Sequence, residues 1–161
     1  VDLMRNDLGR VCQTGTIEVT CPRMIESHST VHHGVAEVQG QIRPDATLVD
    51  LLRATFPAGS ITGAPKIRAM QVINELEEQQ RGAYCGAVGC LSTNGDMRLG
   101  VSIRTAAFHG TTRHGFRDVT GTLQYGTGCG IVVDSDPTDE YRESELKAEA
   151  LRRLSQRSVT S

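Results

Sequence analysis

A chain of 161 residues with 17 Lys and Arg against 19 Asp and Glu carries a net charge of -2, about one domain's worth of length and no basic block to draw in a phosphate backbone, so no nucleic acid partner is expected. Its five cysteines (Cys12, Cys21, Cys85, Cys90 and Cys129) are odd in number and form no CxxC pair, which argues against a disulfide framework or a zinc site and fits a reducing cytoplasm. No apolar run approaches the ~20 residues that span a bilayer, and no charged-then-apolar leader opens the chain, so no membrane partner is expected either.

The opening "VDLMRNDLGRV" puts Val1, Met4 and Leu8 on one helical stripe, with Gly9 as its stop, yet no residue ahead of Val1 caps it and no initiating Met is present. The segments "TGTIEVT" and "TVHHGVAEVQGQI" read as extended and β-branched, separated by turn chemistry. "DATLVDLLRATF" follows as a helix with Asp45 as N-cap and Leu48, Leu51 and Leu52 apolar.

In "FPAGSITGAPKIRAM", Pro57, Gly59 and Gly63 break regular structure, Thr62 is placed to cap, and Pro65 sits where a first helical turn tolerates proline. Ile67, Met70, Ile73 and Leu76 then recur at threes and predict a buried stripe. A helix start so rich in free N–H groups suits an anion, and a loop that merely needs tight backbone geometry fits the same letters.

"AYCGAVGCLS", "TNGD" and "MRLGVSIRTAAF" together predict a hairpin. Alternation in its second strand sets Leu99, Val101 and Ile103 on one face and Arg98, Gly100, Ser102 and Arg104 on the other, so Arg104 points either into a cavity lined by small residues or to solvent at an edge. "HGTTRHGFRDVTGT" reads as a long exposed loop. In "LQYGTGCGIVVDS" a glycine cluster meets an apolar strand; the glycines suit close approach of a ligand to the backbone or a tight bend.

The last helix is capped by Asp136 and begins at Pro137. At 100° per residue, Glu140, Glu143, Lys147, Leu151 and Leu154 share one stripe, so two carboxylates and an ammonium head a face that ends in leucine. Such charges are costly on a core-facing stripe unless paired or metal-bound. A Mg²⁺ site at the mouth of the fold and an exposed (i, i+4) Glu143–Lys147 pair of small value both answer to this pattern.

Taken together and in order, "VDLMRNDLGRV", "VHHGV", "FPAGSITGAPKIRAMQVINELE", "RGAYCGAVG", "VSIRTA", "GTGCGIV" and "EYRESELKAEAL" resemble the chorismate-utilising enzymes, among them anthranilate, isochorismate, salicylate and aminodeoxychorismate synthases. The wording "GSITGAPKIRAM" is most similar to the aminodeoxychorismate synthase branch of p-aminobenzoate and folate synthesis, with anthranilate synthase as the alternative; a folded non-catalytic fragment is the other alternative. The resemblance implies an α+β fold with antiparallel sheets and flanking helices. It makes Glu140 and Glu143 Mg²⁺-binding carboxylates and Lys147 a partner of a substrate carboxylate. Tyr84 and Arg104 match residues that hold the enolpyruvyl carboxylate, for which the planar guanidinium fork is suited. Gly128 and Gly130 match glycines whose N–H groups approach substrate, His33 a catalytic histidine near the departing ring hydroxyl, and Ser60 a hydroxyl lining the pocket. Lys66 belongs to the signature without an assigned chemistry, and His32 is read as a structural or surface residue.

The family's upstream Glu ligand and "PI(K/A)GT" segment precede the part matched here, so residues 1–161 are expected to be the C-terminal portion of a single chorismate-binding domain. For the intact enzyme the resemblance implies that ammonia, supplied by a separate or fused glutamine amidotransferase subunit, replaces the hydroxyl lost from the ring. The loop His109–Thr122 is longer than the turn usual in the family. Sheet edges or apolar faces uncovered in such a portion would favour a homo-oligomer or a complementing chain.

Overall fold

The structure, a computed structural model, describes residues 1–27, 32–113 and 118–157. The chain divides into two compact units, Val1–Gln79 and Gln80–Ser161. Small antiparallel sheets and helices make up both, which is the α+β class expected.

The first unit opens with helix α1 (Asp2–Gly9), which has no side-chain cap at Val1 and carries Asp2 in its first turn, where a carboxylate opposes the helix dipole. Strands β1 (Glu18–Ser27) and β2 (His32–Gln39) pair antiparallel, from Glu18 opposite Gln39 to Ser27 opposite His32. Their register shifts between Cys21 and Met24, around Pro22, whose missing N–H cannot join a ladder. The connection between the strands, residues 28–31, lies outside the described residues. Val11, Cys12 and Ala54 form the core, with Leu8, Ile17, Ala46 and Leu51 packed against them.

Helix α2 (Leu48–Thr55) is capped by Thr47 rather than Asp45. The Asp50 N–H donates to Thr47 Oγ1 at 3.2 Å, while Asp50 Oδ2 accepts from Thr47 N at 2.9 Å and from Thr47 Oγ1 at 2.6 Å. Only Thr47 has an acidic partner three residues on to complete this reciprocal box; Asp45 turns to Arg43, 3.5 Å away.

A single turn, α3 (Gly59–Thr62), precedes α4 (Lys66–Leu76), whose N-cap is Pro65. Thr62 does not cap it: its hydroxyl donates back to Ala58 O at 3.0 Å, within its own turn. The predicted buried stripe of α4 is also corrected. Ile67 and Leu76 are 69% and 76% exposed, and the helix's buried residue is Lys66. Period 3.6 identifies an apolar face, but burial depends on what packs against it, and here Lys66 turns inward.

In the second unit β3 (Ala87–Leu91) and β4 (Met97–Val101) form the expected hairpin, closed at Ser92–Asp96. The alternation does not reach Arg104, because β4 ends at Val101 and Arg104 adopts φ 51°. Ser102 is buried, its N–H donating to Gly86 O while its carbonyl accepts from Cys85 N.

The segment read as a long loop is instead a second hairpin, β5 (Ala106–Arg113) with β6 (Asp118–Tyr125); residues 114–117 lie outside the described residues. Its threonines and valine favour extended backbone, but largely exposed positions on both faces leave no apolar alternation to read. Conversely, the apolar run Ile131–Val133 is not a strand: it runs as irregular chain with Val133 97% exposed, turned by Ser135, whose N–H donates to Val132 O and whose Oγ accepts from Val132 N. Helix α5 (Pro137–Arg157) is capped as expected, Asp136 Oδ1 accepting from the N–H groups of Thr138 and Asp139 at 2.8 and 3.1 Å. Among the described residues no helix is long and apolar enough to cross a membrane.

Candidate functional site

The charged stripe of α5 is tied to the glycine-rich segment that follows β6. Lys147 Nζ lies 2.7 Å from Glu143 Oε1 and donates to Gly128 O at 2.9 Å. Cys129 Sγ is 3.8 Å from the same ammonium and donates to Glu140 O at 3.0 Å. The Ser135 hydroxyl donates to Glu140 Oε1 at 2.6 Å, and Tyr125 Oη to Lys147 O at 3.3 Å. The exposed ion pair anticipated from the (i, i+4) spacing is therefore present. Because Lys147 is half-buried and also holds a backbone carbonyl, it fixes the segment 125–135 against the helix as well as pairing with Glu143.

These contacts set the electrostatics. The hydrogen bond from Lys147, and then its charge, hold the Glu143 carboxyl below its ordinary range. Burial pushes the Cys129 thiol up, against the pull of Lys147. Donor atoms of Cys129, Glu140 and Glu143 lie within 4.8 Å of one another. A protonated thiol is a poor partner for a hard cation, whereas two carboxylates with access to water are the donor set that Mg²⁺ takes, so Glu140 and Glu143 fit that ion and Cys129 supports the wall beside them.

Tyr84 completes this side of the site. Its ring covers Gly126 and Gly128 so closely that a Cβ at Gly128 would lie 2.9 Å from the phenol oxygen, and one at Gly126 would strike the ring itself. Glycine is required at Gly126 by this approach, whereas at Gly128 the phenol end of Tyr84 would have to shift. At Gly130 a Cβ would meet nothing within 4 Å, so the backbone there borders open space. Arg104 and Cys85, which flank the open end of the β3–β4 ladder where Ala87 pairs with Val101, are the non-glycine residues with positive φ among the described residues, 51° and 64°. For a residue with a Cβ this conformation is costly and persists only where its surroundings dictate it, a state commonly found at functional sites.

The structure thus brings together Tyr84, Gly128, Glu140, Glu143 and Lys147 within the second unit, which also contains Arg104 and Gly130. Ser60 and His33 belong to the first. Ser60 is exposed on α3, directly after the buried Ala58 and Gly59. His33 is exposed on β2 opposite Glu26, and neighbouring His32 shares a hydrogen bond with Ser27 at 3.1 Å. Leu151 is half-buried farther along α5, and the side chain of Leu154 lies outside the described residues. Sequence reasoning missed Tyr125, Cys129 and Ser135 as supports of the stripe. The only available signal was their place in the glycine-rich motif and the turn before the cap.

The family described as "chorismate binding enzyme" matches residues 1–153. Anthranilate synthase component 1 of Neisseria gonorrhoeae is 45% identical over 156 residues, covering 97% of this chain and 30% of the relative. That of Aquifex aeolicus is 46% identical over 151 residues, covering 94% and 28%. The crystal structure of anthranilate synthase component I from Streptococcus pneumoniae matches with a TM-score of 0.70 at 40% identity, over 92% of this chain and 32% of that one. The menaquinone-specific isochorismate synthase of Escherichia coli matches with a TM-score of 0.69 at 26% identity, over 95% and 32%. The chain therefore spans about a third of the length of the relatives it matches.

Proposed function

The chain belongs to the chorismate binding enzyme family, and from that premise we propose that it carries part of the chorismate site of an anthranilate synthase component I-like enzyme. The observation that carries the product class is the match over 97% of this chain and 30% of the relative, at 45% identity, to a protein named anthranilate synthase component 1. The expected aminodeoxychorismate branch rests on the wording of residues 59–70 alone and becomes the second reading.

In this reading the second unit carries the anion-binding groups. Arg104 offers a planar two-donor fork and Tyr84 a phenol to the enolpyruvyl carboxylate, while Lys147, already committed to Glu143 and Gly128 O, offers its remaining charge to a second carboxylate. Glu140 and Glu143 would hold Mg²⁺, which when bound supplies positive charge to the ring carboxylate. The open space where a Cβ at Gly130 would lie leaves room for a substrate beside that backbone. The resemblance also assigns a role to Ser60, a hydroxyl for the substrate, and to His33, a proton partner for the departing ring hydroxyl. Ammonia would come from a glutamine amidotransferase component.

A chimaera that joins the preceding part of the Streptococcus pneumoniae enzyme to this chain tests the product class. Incubated with chorismate, Mg²⁺ and ammonium, it is expected to accumulate anthranilate, detected by its fluorescence and mass. Formation of 4-amino-4-deoxychorismate instead would select the second reading.

A further inference from the structure

Lys66 and Asp7 sit in two motifs of the sequence and have no part in the chemistry above, yet they make the most deeply buried charge contact among the described residues. Lys66 Nζ lies 2.8 Å from Asp7 Oδ1, with side chains 7% and 2% exposed. Asp7 Oδ2 accepts the Gly59 N–H at 2.7 Å, and Lys66 Nζ donates to Ala54 O at 2.8 Å. The carboxylate thus binds the first residue of α3, and the ammonium satisfies a carbonyl in the last turn of α2, one of the groups a helix leaves without an internal partner. A single pair of charges ties together the beginning, middle and end of the segment 54–66. Gly59 is held so closely that a Cβ there would lie 3.0 Å from Asp7 Oδ2 and 3.3 Å from Leu3 O.

Such a buried pair returns in attraction little more than its desolvation costs, so an apolar pair of similar volume would stabilise the fold as well. What apolar side chains cannot supply is direction: one carboxylate oxygen for a particular N–H and an ammonium for a particular C=O. We propose that Asp7 and Lys66 are positioning residues, an ionic latch that sets the conformation of the Pro57–Pro65 turn and therefore the outward placement of Ser60. The consequence for chorismate rests on the reading above; the latch itself does not.

The test uses the full chain and three variants, Lys66→Met, Asp7→Asn and the double Asp7→Asn/Lys66→Met, with melting temperature, amide exchange and chorismate affinity as readouts. Lys66→Met alone strands a buried carboxylate and lowers the melting temperature most; the double variant recovers most of that loss. In the recovered double variant the latch predicts about tenfold faster exchange at Gly59–Gly63 with β1 and β2 unchanged, and chorismate binding weakened about tenfold. Native exchange and native affinity in that variant overturn the proposal, because they would mean that the pair supplies stability alone. Should the native chain fail to bind chorismate, the reading above falls and the exchange result still decides the latch. Lys66→Arg keeps the charge but changes its shape, so it covers a double variant that does not fold: faster exchange of the turn at an unchanged melting temperature supports the latch, and native exchange contradicts it.

Discussion

At the scale of single residues, the contacts of Lys147 make Glu143 a stronger acid and hold the glycine-rich segment in place. A carboxyl with a lowered folded value contributes stability above its unfolded pKa, near 4.5, and loses it as pH falls through the folded value. Glu143→Gln should therefore flatten the acid limb of a stability profile below about pH 4.5 and change little at pH 7, as melting temperatures across pH 3–7 would reveal. Lys147→Met should bring the Glu143 titration, followed by NMR, back toward the ordinary carboxylate range. Cys129 differs in that burial keeps it a thiol, whereas Cys90 is exposed on β3. At pH 8 iodoacetamide should label Cys90 well before Cys129, and peptide mass mapping that finds Cys129 labelled first would contradict the burial that keeps its thiol protonated.

At the scale of elements, end signals were legible where a neighbouring residue fixed the start and obscure where none in view did. Pro137 fits the first helical position, so Asp136 rather than Asp134 or Ser135 caps α5; Asp45 and Thr47 lie two positions apart, and only the reciprocal partner Asp50 decides for Thr47. Thr47→Ala should cost about 1 kcal/mol in urea unfolding. Asp50, held below the ordinary range by the Thr47 hydroxyl, loses this role as it protonates, so the penalty for Thr47→Ala should shrink as pH falls through the titration of Asp50. The β5–β6 hairpin escaped notice because its residues are exposed on both faces, and Ile131–Val133 misled because three apolar letters do not specify a ladder partner.

At the scale of the whole molecule, the charged face of α5 could be read from the letters because it depends on spacing within one segment, and the family from its resemblance in motifs ordered along the whole chain. The Asp7–Lys66 latch could not, because it depends on where distant segments meet. Apolar side chains stand exposed on α4 at Ile67 and Leu76 and on β3 at Val88.

We propose that Glu140 and Glu143 hold the cation against which chorismate binds, and calorimetric titration of chorismate into the folded chain, with and without Mg²⁺, is the test. Binding is expected to depend on Mg²⁺ and to be weakened at least about tenfold by each of Arg104→Ala and Glu143→Ala, a difference of ~1.4 kcal/mol. Binding that is indifferent to Mg²⁺ and to Glu143→Ala, or no binding by a folded chain, would contradict it.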